Sequence, residues 1–114
     1  MVERKRLPAE RQSVVHDFDI GGISGSVVVG LYEDGRPGEV FIHTPYSGSF
    51  TGSVLDALAL QTSLLLQYGV PLSAAAEKLI GSRFEPMGVT GDPAQPMCTS
   101  LLDYIYGWLV RRFG

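Results

Sequence analysis

The first part of the chain alternates between apolar and polar residues. In residues 12–20, one face of an extended chain carries Val14, His16, Phe18 and Ile20, and the other carries Val15, Asp17 and Asp19. This period of two predicts a strand, and similar alternation predicts strands at 23–32 and 39–44. The Gly-Gly pair at 21–22 and the Asp-Gly pair at 34–35 are typical of tight hairpin turns, because glycine adopts positive φ at little cost. Together these features predict a three-stranded antiparallel meander.

The second half changes to helical spacing. Residues 54–68 are apolar on nearly every side, which predicts a helix largely buried against the sheet or a partner subunit. Gly69 is expected to end this helix, and a second helix is expected at 72–80. Residues 82–96 are rich in proline and glycine and are predicted to be irregular. A third helix is predicted to run to residue 113, which makes the fold class α+β, with strands first and helices second.

The third helix carries a start signal and several aromatic residues. It is expected to begin at Thr99 or Ser100, since Ser100 and Asp103 have the spacing of a capping box. Tyr104 and Trp108 are four residues apart and share a face, which indicates core or subunit interface. Base stacking is the alternative role for such a cluster. Tyr106 points elsewhere and is expected to be the more exposed.

Length and charge limit the architecture and the partners. A chain of 114 residues forms one domain, and we divide it into a basic N-terminal arm at 1–11 and a single domain at 12–114. The net charge is −3, with an acidic body between basic ends. Nucleic-acid binding is not expected, because it needs a basic face. No stretch is long and apolar enough to span a membrane, so we expect no membrane association.

The cysteine and histidine residues give little support for redox or metal chemistry. Cys98 is the only cysteine, which rules out an intrachain disulfide and favours a cytoplasmic location. His16 shares a strand face with apolar residues and is expected to be a half-buried structural histidine. His43 ends a strand and is expected at its rim. Because these three residues are scattered, we predict no metal site and no cofactor.

Six segments occur in an order and spacing typical of one family. They are Arg4-Lys5-Arg6-Leu7-Pro8, Gly30-Leu31-Tyr32-Glu33-Asp34-Gly35, Gly38-Glu39-Val40-Phe41-Ile42, Leu66-Gln67-Tyr68-Gly69-Val70-Pro71-Leu72, Arg83-Phe84-Glu85-Pro86-Met87-Gly88-Val89-Thr90 and Thr99-Ser100-Leu101-Leu102-Asp103-Tyr104-Ile105. Together they resemble the C-terminal TSCPD-type domain of adenosylcobalamin-dependent class II ribonucleotide reductases. The resemblance implies a small domain without chemistry of its own, standing alone here as an independent gene product or an excised domain. No catalytic residue is carried over, Cys98 included.

The loop at 47–53 is the best candidate for a ligand site. It precedes the first helix, whose free N–H groups and dipole favour anions, and Ser47, Gly48, Ser49 and Thr51 line it. The alternative is that Thr51 or Ser53 simply caps the helix.

A second group of candidate ligand-binding residues lies in the irregular stretch. Arg83 is the nearby cation, and Glu85 and Thr90 follow it. The alternative for Arg83 is an ion pair with Glu85 or Asp92 that holds the loop.

Three functions follow from these features. The leading hypothesis is a non-catalytic accessory or interaction domain that self-associates or docks on a ribonucleotide reductase catalytic chain. The alternative is an oligomeric protein, phage-encoded in this hypothesis, that sequesters a nucleotide or nucleotide-derived signal. A hydrolase of phosphorylated small molecules is the weakest hypothesis, because no base and nucleophile pair is evident.

Overall fold

The computed structural model describes residues 2–114 and shows the predicted meander. Its strands are β1 at Ser13–Ile20, β2 at Ile23–Leu31 and β3 at Pro37–His43, in the order β1-β2-β3 with antiparallel pairing. The strand prediction is therefore confirmed, and the α+β class with it.

The two glycines between β1 and β2 form a tight hairpin turn. Ile20 pairs with Ile23 across a two-residue loop in which Gly21 and Gly22 have φ of 57° and 90°. Positive φ at both loop positions is the requirement of a type I′ turn, whose twist matches that of the strands. The turn fixes the register, so that the apolar residues of both strands face the same side.

One face of the sheet forms the core together with the helices. The buried sheet residues are Phe18, Ile20, Val27, Val29, Val40 and Ile42. Leu101, Ile105 and Leu109 of the last helix belong to the same cluster and are at most 1% exposed. The alternation seen in the sequence thus corresponds to a single buried face.

Helix α1, at Phe50–Gln67, lies along β3 and satisfies backbone groups of that strand. The Ser63 hydroxyl accepts a hydrogen bond from the Val40 N–H at 2.8 Å, and the Gln67 amide donates to the Gly38 carbonyl at 2.9 Å. Buried polar groups must be paired, so these two polar side chains belong to the inner face of an otherwise apolar helix.

Helix α1 begins earlier and exposes more than the sequence predicted. It starts at residue 50 rather than 54, and only its inner face is buried in the isolated chain. On its outer face Phe50 is 84% exposed and Leu65 is 41% exposed. Burial of that face by a partner subunit stays a prediction.

The end of α1 follows the predicted glycine cap. Gly69 has a φ of 92°, its N–H donates to the Leu66 carbonyl, and the Val70 N–H donates to the Leu65 carbonyl. This is a Schellman motif. Helix α2 then covers only Leu72–Ala76, shorter than the predicted 72–80, and continues as turns to residue 81.

The stretch predicted to be irregular, 82–96, contains the first strand and the loop of a short hairpin. Strands β4 at Gly88–Val89 and β5 at Met97–Cys98 pair with each other and precede helix α3 at Leu101–Phe113. Ser100 caps α3 by accepting from the Asp103 N–H at 2.9 Å, as predicted. Two-residue strands are too short to produce a periodic signal in sequence.

The prediction that Tyr106 is exposed was wrong. Tyr106 is 0% exposed, and its hydroxyl lies 2.7 Å from the Thr62 hydroxyl of α1. A tyrosine is buried readily when its hydroxyl finds a partner. Thr62 is 44 positions away in sequence, so helical spacing alone does not reveal this partner.

Candidate functional site

The loop at 47–53 places its predicted ligand residues at the start of α1. Ser49 is the N-cap: its hydroxyl accepts from the Gly52 N–H at 3.2 Å and donates to the Tyr46 carbonyl. The capping alternative is therefore realised by Ser49, not by Thr51 or Ser53. Ser47, Gly48 and Thr51 are exposed. The Ser49 hydroxyl is already engaged in this cap.

The remaining predicted ligand residues lie in the segment between α2 and α3. Arg83 and Glu85 are exposed, whereas Thr90 is buried, and its hydroxyl donates to the Gln95 carbonyl and accepts from the Asp92 N–H at 3.1 Å. The ion pair expected for Arg83 was wrong, since within residues 2–114 Arg83 has no ion-pair partner. Asp92 instead lies 3.9 Å from Arg111 of α3.

The two groups of predicted ligand residues are not joined. In the described chain, no hydrogen bond or ion pair connects the loop at 47–53 with Arg83, Glu85 or Thr90. The nucleotide-binding role of these residues stays a prediction.

A cleft that does not involve the loop at 47–53 is lined by a network of polar side chains. The cleft has a volume of about 790 Å³ and lies between the β1–β2 hairpin and the loop at 90–93. Tyr104 of α3 bridges its walls: the hydroxyl lies 2.7 Å from His16 Nε2 and 2.6 Å from Asp92 Oδ2. A strand, a helix and a loop thus meet at one phenol oxygen.

The direction of these hydrogen bonds follows from the donors available. The hydrogen bond from Tyr104 lowers the pKa of Asp92 below its ordinary value, so this carboxylate is charged at neutral pH and only accepts. The Tyr104 hydroxyl therefore donates to Asp92 and must accept from His16, which carries its proton on Nε2. Burial, reinforced by Asp92, raises the pKa of Tyr104 well above its ordinary value, so the hydroxyl keeps its hydrogen.

The ring of His16 is held between strand and helix. It stacks on Trp108 with centroids 4.4 Å apart and planes inclined by 9°. Burial lowers the pKa of His16, and the nearby carboxylate of Asp92 opposes that shift. At neutral pH the imidazole is therefore neutral, and it acts as an oriented hydrogen-bond donor. The structural role predicted for His16 agrees with this geometry.

A second polar centre lies behind the cleft at Asp103. Its carboxylate accepts from the N–H groups of Gly81 at 2.7 Å and Thr99 at 3.1 Å, and from the Gln95 amide at 3.0 Å. The Gln95 carbonyl oxygen in turn accepts from Arg111 at 2.8 Å. These contacts connect the loop at 90–96 to both ends of α3.

The polar groups of the cleft are held in hydrogen bonds to one another. Cys98 is buried, and burial raises the pKa of its thiol, which keeps it in the unreactive protonated form. The sequence pattern predicted the positions of three of these residues, because His16 lies on the apolar face of a strand and Tyr104 and Trp108 share one face of a helix. It missed Asp92 as their partner, since a residue in an irregular loop carries no periodic signal.

The comparison with protein families adds the identity of the fold. The family model of the TSCPD domain matches residues 3–112 of this chain. The chain belongs to the TSCPD domain family. The resemblance expected from the six sequence segments is thereby confirmed.

The relatives of this TSCPD domain are much longer proteins. The vitamin B12-dependent ribonucleotide reductase of Rhodopirellula baltica is 46% identical over 110 residues, which are 96% of this chain and 11% of that reductase. The reductases of the same name from Streptantibioticus cattleyicolor and Bradyrhizobium diazoefficiens are 40% and 37% identical, with 18% and 8% of their lengths covered. The chain therefore spans a small part of these reductases. No solved structure matches it significantly.

Neither a metal-holding cluster nor a membrane-spanning helix is found within residues 2–114. Across residues 2–114, no group of three or more His, Cys, Asp or Glu side chains is placed to hold a metal ion. None of the helices in the described part of the chain has the length and apolarity needed to cross a bilayer.

We expect the stability of the TSCPD domain to fall as pH drops below the ordinary His16 pKa of 6.5. Because the folded pKa is lowered, the unfolded chain binds a proton first, so acid favours unfolding between 6.5 and the lower folded value. Asp92, also lowered, contributes a separate loss around and below its ordinary pKa of 3.8. Urea denaturation across pH measures both, and His16→Gln should remove only the upper step. An unchanged upper step in that variant would show that another group titrates there.

Proposed function

We propose that this chain is a non-catalytic interaction domain of the reductase-associated TSCPD type that self-associates through the outer face of α1. Membership in the family along nearly the whole chain supports a domain role. The small share of the reductases that the chain covers supports a role without the reductase reaction. The observation that carries the proposal is the apolar outer face of α1.

The outer face of α1 carries no charged side chain and is apolar except for Gln61. Its members recur every three or four residues, as one face of a helix requires. They are Phe50, Val54, Ala57, Gln61, Leu65 and, just after the helix, Tyr68. Phe50, Val54, Leu65 and Tyr68 are between 41% and 84% exposed. An 18-residue helix is about 27 Å long, so the face is a long, mostly apolar stripe that Gln61 interrupts.

The total surface of the chain agrees with an incompletely covered face. The accessible surface is 6712 Å² for 12.3 kDa. A compact monomer of this mass exposes about 6,100 Å². The mostly exposed residues 2–12 and the stripe on α1 both contribute to this excess of about a tenth.

A second copy fits this stripe well. An isologous dimer places the same patch on both sides of a twofold axis, so any charge on the patch would meet its own like charge. The stripe on α1 has no charged side chain and can pair with itself without that cost. A reductase catalytic chain is the competing occupant, and the experiment below separates the two.

The test compares two charge insertions at equally exposed leucine and isoleucine positions. Leu65 and Ile80 are each 41% exposed, but only Leu65 lies on the stripe. We expect Leu65→Glu to raise the dissociation constant of the oligomer by about tenfold or more, because a buried carboxylate without a partner is costly. Ile80→Glu should leave it unchanged. Native mass spectrometry and light scattering report the subunit number, and any retained small molecule, for all three proteins.

Two outcomes contradict the proposal. Equal loss of association in both variants would indicate a general effect of acidity and not an interface on α1. A wild-type protein that is monomeric at high concentration, but binds a reductase catalytic chain through Leu65, would assign the stripe to that chain.

A further inference from the structure

The two edges of the sheet are treated differently. The β3 edge is covered by α1, whose Ser63 and Gln67 side chains bond its peptide groups. Strand β1 is the other edge and pairs as a strand only with β2. Strand β4 covers this edge at the hairpin turn, where the Gly21 N–H donates to the Val89 carbonyl at 3.0 Å, and leaves the rest of the edge uncovered. An uncovered edge presents a row of free N–H and C=O groups that can pair with another extended chain.

The hairpin register shows which peptide groups face outward. Ile20 and Ile23 close a two-residue loop, so the backbone N–H and C=O groups of Ile20 form hydrogen bonds with β2. The same holds for every second residue before Ile20. The Leu31 N–H donates to the Gln12 carbonyl at 2.9 Å, which confirms that the even-numbered residues of this segment face β2. The outward-facing residues are Ser13, Val15, Asp17 and Asp19. Within residues 2–114, no further backbone hydrogen bond engages their peptide groups.

This free edge borders the 790 Å³ cleft described above. The loop at 90–93 forms the opposite wall, and no lysine or arginine lines the cleft among the described residues. Asp17 and Asp19 lie on the edge itself, where the Asp19 carboxylate accepts from the Gly22 N–H at 3.0 Å and the Ser24 hydroxyl at 2.9 Å. Asp92 lies on the far wall, with Arg111 of α3 3.9 Å away. Asp17 is exposed and, across residues 2–114, has no ion-pair partner. The edge is therefore both unpaired and negatively charged.

We propose that the β1 edge binds an extended segment of another polypeptide, carrying lysine or arginine, as a fourth strand of the sheet. Main-chain hydrogen bonds to Val15, Asp17 and Asp19 supply the affinity of such strand addition, and alternate side chains supply the specificity. Basic side chains of the added strand would lie beside Asp17 and Asp19, where opposite charges in neighbouring strands attract. This site goes beyond the proposed function and uses a different surface from α1.

A second copy of this chain is the less suitable occupant of the edge. If β1 paired with β1 of a second copy, the Asp17 and Asp19 carboxylates of both copies would lie close together along the line where the two strands meet. Like charges in adjacent strands destabilise the pairing, and charged residues on edge strands are known to suppress self-pairing. The same carboxylates that disfavour a second copy favour a basic strand.

The first experiment uses synthetic heptapeptides that alternate lysine with valine or glutamate with valine. Isothermal titration calorimetry with the full chain should detect binding of the lysine peptide and no binding of the glutamate peptide. A lysine peptide that is N-methylated at alternate residues keeps its charge but loses the hydrogen bonds to the edge. It should bind at least about tenfold more weakly. Hydrogen exchange should slow at the amides of Val15 and Asp17 on binding.

The second experiment reverses one charge at the edge. Asp17→Lys should raise the dissociation constant of the lysine peptide by about tenfold. Glu33→Lys, an equal charge change outside the cleft, should leave binding within about twofold. Leu65→Glu should also leave it unchanged, which separates this site from the α1 stripe. Equal binding of the N-methylated peptide, no binding of the lysine peptide, or a dimer whose β1 amides are protected without peptide would each overturn the proposal.

Discussion

Asp103→Ala is expected to lower the free energy of unfolding by about 3 kcal/mol, because three hydrogen-bond donors lose one acceptor. The Gly81 and Thr99 N–H groups and the Gln95 amide all point at this carboxylate, which is 8% exposed. These hydrogen bonds are partly buried, so donors left without an acceptor carry part of the cost of their lost hydration. For a domain of this size the midpoint of thermal unfolding should fall by about 10–15 °C.

Asp103→Asn is the control that separates the effect of losing side-chain volume from the effect of losing the charged acceptor. Asparagine fills the same space but keeps only one accepting oxygen, so its amide must face at least one of the three donors. We expect about half the loss of the alanine variant, measured by urea denaturation followed by circular dichroism. Equal stability of the asparagine variant and the wild type would show that the donors find other partners, and would contradict the proposed importance of this centre.

Local patterns were enough to predict most of the fold. The alternation in residues 12–44 and the paired glycines at 21–22 define three strands and their register, because both signals act between neighbours in sequence. The Ser100 cap and the Gly69 cap are equally local. The small hairpin of β4 and β5 was missed because two-residue strands carry no period.

Contacts between distant segments could not be predicted. Tyr106 was expected at the surface, and only the fold brings Thr62 to its hydroxyl. Asp92 meets Tyr104 and His16 for the same reason, since the strand, loop and helix that hold them are far apart in sequence. The apolar character of α1 was visible, but its division into an inner face and an exposed stripe depends on the position of β3.

The cleft and the α1 stripe give the domain two independent surfaces. One is mostly apolar and without charge, and the other is an acidic strand edge beside a polar network. The two proposals above assign a second copy of the chain to the first surface and an extended basic segment to the second. The second surface is backed by α3, where Trp108 stacks on His16.

Trp108→Ala is expected to lower the free energy of unfolding by about 3–5 kcal/mol, the usual cost of removing a large buried aromatic side chain. Trp108 is 9% exposed, stacks on His16 and meets Phe113 edge to face at 5.9 Å. Trp108→Phe retains a ring and should lose about 1–2 kcal/mol. Circular dichroism in urea is the suitable measurement, since the protein's single tryptophan is removed in both variants.

The same substitution should change the titration of His16, which loss of packing elsewhere in the core would not do. Burial is the main cause that lowers the pKa of His16, and Trp108 covers one face of its ring. In Trp108→Ala, water reaches that face and the pKa should rise toward its ordinary value of 6.5, while Ile105→Ala should leave it unchanged. Nuclear magnetic resonance of the imidazole protons measures both shifts. An unchanged His16 pKa in Trp108→Ala would mean that β1 itself, and not the indole, keeps water from the ring.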